Sequence, residues 1–231
     1  MKYIGIIAAM DEEMEEIRKK MKDTKIIVIC NLKFIAGKIE NKNCLLVKSG
    51  VGKVNAARTI QILISNFEIE YVINVGVAGA TNMLLNIGDV VIAKYVVQHD
   101  FDITAFGHSK GYVAGLGDKV ICDSEMVNKF ETLIKKKDER NYNVKIGIVA
   151  SGDIFCTDID MKNQINKEFN ADVVDMECAA IGQVCCLDNI PFISIRSVSD
   201  IPNGENVNVY EENLELAAKR CADVLNEFCS Q

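Results

Sequence analysis

Apolar residues follow two rhythms along this chain, short unbroken runs and stripes spaced by three or four. Residues 3–9 (Tyr-Ile-Gly-Ile-Ile-Ala-Ala) are too continuously apolar for a solvated strand and predict a buried one. The run passes directly into a helix whose stripe is Met10, Met14, Ile17 and Met21. Runs at 26–30, 33–39 and 43–48, parted by turn signals at Asn31 and Asn41-Lys42-Asn43, predict a meander. A glycine turn, Ser49-Gly50-Val51-Gly52-Lys53, then opens a helix to about residue 65. Further buried strands are predicted at 71–75, 90–97, 144–150, around 173–175 and at 193–200. Helices are predicted at 124–137 and 210–228, with a solvated charged turn at 135–140. Strands alternating with helices make an α/β chain, and no linker-like stretch divides it, so residues 1–231 are expected to form one domain.

Composition narrows the function. About half of the residues are apolar (49%) and a quarter charged (26%), ordinary for a globular protein with a large core. A net charge of −7 with interspersed signs argues against a nucleic-acid surface and for a small ligand. Nine cysteines without Cys-x-x-Cys, and only two histidines, argue against a metal site and read as reduced, buried thiols. Asp11-Glu12-Glu13 after a short apolar run is unlike a signal peptide, and no run reaches membrane length. The expected location is cytoplasmic, without a membrane or nucleic-acid partner and without cofactor or metal.

The candidate chemistry is acidic. At 100° per residue, Asp11, Glu12, Glu15 and Glu16 point away from the first helix's stripe, while Glu13 falls within about 60° of its centre. Periodicity leaves it either at the helix edge or inside. Val173-Val174-Asp175-Met176-Glu177 and Ile193-Ser194-Ile195-Arg196-Ser197-Val198-Ser199-Asp200 each couple a β-branched run to acids at its end, where α/β sheets build binding crevices. Asp175 can cap the following helix, setting Glu177 in its first turn beside free N–H groups that favour a carboxylate. Asp200 leads into Ile-Pro-Asn-Gly, a turn opening onto the same edge. Singly, these acids read as a cap and a turn. As a pair, with Arg196 on an apolar strand where a buried charge needs a partner, they read as one pocket.

The glycine segments supply backbone instead of a known fingerprint. Gly52-Lys53 fails as a phosphate loop, because Val47 and Val54 stand where a glycine and a hydroxyl are needed. Gly76-Val77-Ala78-Gly79-Ala80 lacks three-glycine dinucleotide spacing and reads as a tight turn or a close approach to ligand. His99 and His108, in a loop with exposed-looking aromatics, read as surface or interface residues; the loop's apolar members point to a partner subunit. Phe155, after the turn at Ser151-Gly152-Asp153, either stacks on a flat ligand or plugs the core.

Taken in order, Ala8-Ala9-Met10-Asp11-Glu12-Glu13, Ser49-Gly50-Val51-Gly52-Lys53, His99-Asp100 with Thr104-Ala105-Phe106-Gly107, Ser151-Gly152-Asp153 with Phe155, Val174-Asp175-Met176-Glu177 and Arg196-Ser197-Val198-Ser199-Asp200 resemble the 5′-methylthioadenosine/S-adenosylhomocysteine nucleosidases of the purine nucleoside phosphorylase superfamily. The resemblance covers essentially the full length. It implies a central mixed sheet flanked by helices and hydrolysis of an N-glycosidic bond, with water, through an oxocarbenium-like ribosyl group. Asp200 then matches the acid that protonates adenine N7, helped by Ser199, and Glu13 the residue that activates water. Glu177 matches the acid on the ribose hydroxyls, with Met176 below the ribose and Arg196 near water and that acid. Phe155 would stack on adenine, the Cys156 backbone would read its edge, and Met10 and Gly79 would complete the substrate site. An alkylthio pocket is implied on Val51 and Tyr210 and, from the other subunit of a homodimer, Ile103, Phe106 and His108. Val77 and His108 depart from the family pattern, where a small hydroxyl residue and an aromatic are common.

On this reading Asp200 is a carboxylic acid kept protonated, and Glu177 an ionised carboxylate beside a cationic sugar. Three rivals remain: a phosphorylase, which would need converging basic groups; a nucleosidase for another adenine compound such as aminodeoxyfutalosine; and a catalytically silent nucleoside-binding protein.

Overall fold

The first strand, β1 (Tyr3–Ala8), pairs in parallel with two others, which fixes the middle of the sheet. In the computed structural model, which describes residues 1–136, 140–201 and 206–231, it leads into α1 (Asp11–Arg18) and then the antiparallel meander β2 (Lys22–Ile29), β3 (Leu32–Ile39) and β4 (Lys42–Lys48). There follow α2 (Lys53–Asn66), β5 (Ile69–Ala80), β6 (Val90–Gln98), β7 (Val120–Ile121), α3 (Ser124–Lys136), β8 (Val144–Ser151), α4 (Ile159–Phe169), β9 (Val173–Asp175), α5 (Cys178–Leu187), β10 (Phe192–Asp200) and α6 (Asn206–Cys229). The sheet is mixed and flanked by helices, as the resemblance implies, but it is not open throughout. β5, β9, β8, β6 and β10 pair in turn, and β10 pairs back onto β5, closing a ring from which β1, β4, β3 and β2 extend.

Closure explains why β10 is buried from end to end, with polar residues Ser194, Arg196, Ser197, Ser199 and Asp200 inside among apolar ones. A strand walled on both faces carries polar side chains only where partners await them. It also rules out one of the two readings of 76–80, the tight turn. The segment continues β5, its small residues required by side chains crossing the strand: a Cβ at Gly76 would stand 2.2 Å from Arg196 Nη1, and one at Gly79 2.9 Å from Asp200 Oδ2.

Other departures have local causes. Met10 is the N-cap of α1 and Met21 lies beyond its end, so the four-residue stripe is not all helical. β7 is too short to read from pattern. α4 hides because Lys162 occupies an inward position beside Ile165. The loop after β6 contains a short 3₁₀ turn, Thr104–Phe106. Within it His108 is exposed and stacks on Tyr112, but His99 is not a surface residue: it is buried, burial lowers its pKa, and its ring lies against Gly152. Seven of the nine cysteines are buried; Cys30 and Cys186 are exposed, and all are free thiols. The turn expected at Pro202-Asn203-Gly204, and residues 137–139 of the charged turn, lie outside the described residues. Among those described, no helix is long and apolar enough to cross a membrane.

Candidate active site

The ends of β1, β5, β9 and β10 converge on a cavity of about 470 Å³. Met10, Glu13, Val51, Gly79, Phe155, Cys156, Met176, Glu177, Ser199, Asp200 and Tyr210 all line it. Arg196 does not; it lies behind the acids, 1% exposed. Ile103, Phe106 and His108 belong to the outward loop and do not reach this chain's own cavity.

Glu13 is the third residue of α1, from which a glutamate reaches back to the backbone of the helix start. Its Oε2 accepts the N–H of Ala9 (2.8 Å) and of Met10 (3.1 Å), and Oε1 accepts that of Val77 (2.9 Å). Periodicity left this side chain between edge and interior; it is 2% exposed. Burial raises its pKa, against the opposing pull of Arg196 and the three N–H donors. A carboxylate fixed by three backbone donors and made more basic by burial suits proton abstraction from water.

Glu177 departs from expectation. It stands at the N-cap of α5, outside the first turn, and its Oε1 accepts from Gly52 N–H at 2.8 Å across the cavity floor. Burial, with the negative charges of Asp175 and Glu13, pushes its pKa up to about 7 in spite of Arg196 and the Gly52 N–H. Asp175 makes the cap bond, as the sequence expected, accepting from Cys178 N–H at 3.0 Å, while Ser151 Oγ donates to its other oxygen. Arg196 is the buried cation of this group: Nη2 meets Asp175 Oδ2 at 2.5 Å and donates to Asn74 Oδ1. The sequence required a partner for this charge without naming one; it is Asp175, the residue that looked like a simple cap.

Asp200 is held from two sides. Ser199 Oγ donates to Oδ1 at 2.9 Å, and the ammonium of Lys162 donates to Oδ2 in an ion pair with both side chains buried. Lys162 was missed. The signal was a lysine within the α4 stripe of Met161, Ile165 and Phe169, four residues apart, where a lone charge needs a counter-ion.

The remaining wall is apolar. Phe155 is half exposed at the mouth and meets Tyr210 edge to face, ring centroids 5.3 Å apart. Tyr210 Oη donates to Met10 Sδ at 3.1 Å, joining the start of α1 to α6. The loop carrying Phe155 is tied to the Gly52 turn. Asp153 Oδ1 accepts from Lys53 N–H (2.8 Å), and Asp100 accepts from both Asp153 N–H (2.9 Å) and Lys53 Nζ (2.6 Å). An apolar slot with four buried acids beneath it can hold a base-plus-sugar ligand and work on the bond between them.

The sequence model of the phosphorylase superfamily matches residues 3–230. The chain belongs to that superfamily. Among its relatives, the 5′-methylthioadenosine/S-adenosylhomocysteine nucleosidase of Staphylococcus haemolyticus is 40% identical over 226 residues, 97% of this chain and 98% of that one. The same-named nucleosidase of S. pneumoniae, solved with the transition-state inhibitor MT-ImmA, is 35% identical with a TM-score of 0.92, covering 99% of this chain and 98% of that one. Futalosine hydrolase of Helicobacter pylori shares the fold as well: TM-score 0.93, 29% identity, 99% of this superfamily member and 97% of that chain.

Proposed function

We propose that this protein hydrolyses the N-glycosidic bond of 5′-methylthioadenosine and S-adenosylhomocysteine, releasing adenine and a 5-thioribose. The observation that carries the choice of water over phosphate is the charge of the cavity wall. Glu13, Asp175, Glu177, Asp200 and Glu211 line it, and among the described residues no lysine or arginine does. Phosphate would be repelled, whereas a ribosyl cation would be stabilised.

In this reading adenine enters the slot by Phe155, with its edge at the Cys156 backbone. Glu177 holds the ribose hydroxyls above Met176. Asp200 protonates N7 as the C1′–N9 bond breaks, so the bond's electrons stay on a base that leaves neutral. Glu13 takes a proton from the water that attacks C1′. Arg196 acts from behind, fixing Asp175 and countering the negative charge of the group. The open tail end of the slot, beside half-exposed Val51, is closed by Ile103, Phe106 and His108 of a second copy; Phe106, 81% exposed on this chain, supports that homodimer.

The deciding experiment is product analysis with methylthioadenosine, with and without phosphate. Equal release of adenine and free methylthioribose supports hydrolysis, and a phosphate-dependent sugar phosphate overturns it. S-adenosylhomocysteine and aminodeoxyfutalosine, run in parallel, rank the substrates, and a monomeric mass in solution overturns the shared pocket.

A further inference from the structure

Lys162 carries a charge that the mechanism above does not use, at a place where nearly every other helical lysine would reach water. It is 0% exposed, delivered from the inner face of α4, and its ammonium lies on Asp200 Oδ2. The two meet over the glycine rim of β5: a Cβ at Gly79 would stand 2.9 Å from Asp200 Oδ2 and 3.1 Å from Lys162 Nζ. Burying an ammonium is costly unless it is paired, and this one is paired with the residue placed at the leaving base.

We propose that Lys162 is a positioning residue for Asp200: it holds the carboxyl group against the base pocket and stabilises the carboxylate left when the proton has moved to adenine. The proposal rests on the reading of Asp200 as general acid. Proton transfer from Asp200 to N7, with cleavage of C1′–N9, leaves Asp200 negative beside the Lys162 ammonium, which already lies on its Oδ2. To turn over again, Asp200 takes one proton from solvent, and Glu13 releases to solvent the proton it took from the attacking water, so protons balance over the cycle. The ammonium is fixed before reaction and aimed at charge that develops during it, which is how preorganised groups lower a barrier.

The groups facing Asp200 come from several elements: Lys162 from α4, the Cys156 thiol from the loop after β8, the Tyr210 phenol from α6, and more remotely Glu13 and Glu177. Burial pushes the thiol up to about 11 and raises the phenol, so neither titrates near neutrality. Glu13 and Glu177 are needed ionised and shape the acidic limb of a pH–rate profile. The basic limb belongs to the group that must hold a proton.

The test is the pH profile of kcat/KM for the full chain and for Lys162→Met, Lys162→Arg and Asp200→Asn, with methylthioadenosine as substrate. Lys162→Met is expected to lose roughly 10²-fold in kcat, within the usual range for disabling an acid–base group, and to move only the basic limb, upward by about one pH unit or more. Lys162→Arg, which keeps the cation, should recover part of the loss. If Lys162→Met does not fold, Lys162→Gln keeps a donor on Oδ2 without the charge and carries the same expectation. Parent kcat and an unmoved basic limb in the uncharged variant, with Asp200→Asn inactive, would overturn the proposal alone. Near-parent turnover in Asp200→Asn would instead remove Asp200 as the acid, and the proposal with it.

Discussion

Arg196 and Glu13 approach each other over the Cα of Gly76, where a Cβ would stand 2.2 Å from Arg196 Nη1 and 2.5 Å from Glu13 Oε1. The charged groups beneath the pocket thus both occupy a gap in β5 that only glycine leaves. Gly76→Ala is therefore expected to displace both, although the backbone there needs no positive φ. Overpacking of this kind costs about 1–3 kcal/mol. Thermal unfolding should show that loss, and turnover should fall by more than tenfold. Unchanged kcat in the alanine variant would mean the gap is not needed.

Glu13→Gln keeps the shape of the side chain but cannot take a proton from water. It should fold, as judged by circular dichroism, and lose about 10²–10⁴-fold in kcat. Near-parent turnover would remove Glu13 from the mechanism.

Glu177 gives a pH signature in stability. Its folded pKa of about 7 lies above the ordinary 4.5. Below pH 4.5 the carboxyl is protonated in both states and its contribution is complete. Between 4.5 and 7 the unfolded chain ionises while the folded one resists, so stability is lost as pH rises through 7, by an amount on the order of 3 kcal/mol. Glu177→Gln mimics the protonated form and can still accept from Gly52 N–H. Its Tm should exceed the parent's by several degrees at pH 8 and match it near pH 4, while turnover drops. Equal Tm values at pH 8 would contradict the raised pKa.

Asp100 does its work at a distance from substrate. Burial would raise its pKa, but the Lys53 ammonium and the Asp153 N–H outweigh that and hold it below the usual range. Asp100→Ala unties the Phe155 loop from the Gly52 turn. The expected result is a several-fold rise in KM with a smaller change in kcat, since the partly exposed ion pair itself is worth about 1 kcal/mol or less. A fall in kcat at constant KM would place Asp100 closer to the chemistry than the geometry does.

What the sequence revealed of this site follows from which interactions are local. Glu13 stood out by its angle on one helix, and Glu177 and Asp200 by their places at strand ends, because those signals need only their own segment. The partners of the charges were less legible. Arg196 announced that it needed an anion, but nothing near it in sequence could choose Asp175 over Glu177, since the choice depends on how β9 lies against the ring. Lys162 and His99 were missed for the same reason: each is a polar residue buried by elements distant along the chain. The glycine run at 76–80 could not be told from a turn because its cause, side chains crossing from α1, α4 and β10, lies outside it.

The hydrogen bond from Tyr210 to Met10 joins a helix made early in translation to one made after every other wall of the pocket. A chain halted before residue 210 would already carry Glu13, Glu177 and Asp200, yet would lack the side of the slot that Phe155 meets edge to face. Closure of the slot therefore depends on α6, and a chain without that helix holds Glu13, Glu177 and Asp200 with no closed place for a ligand beside them.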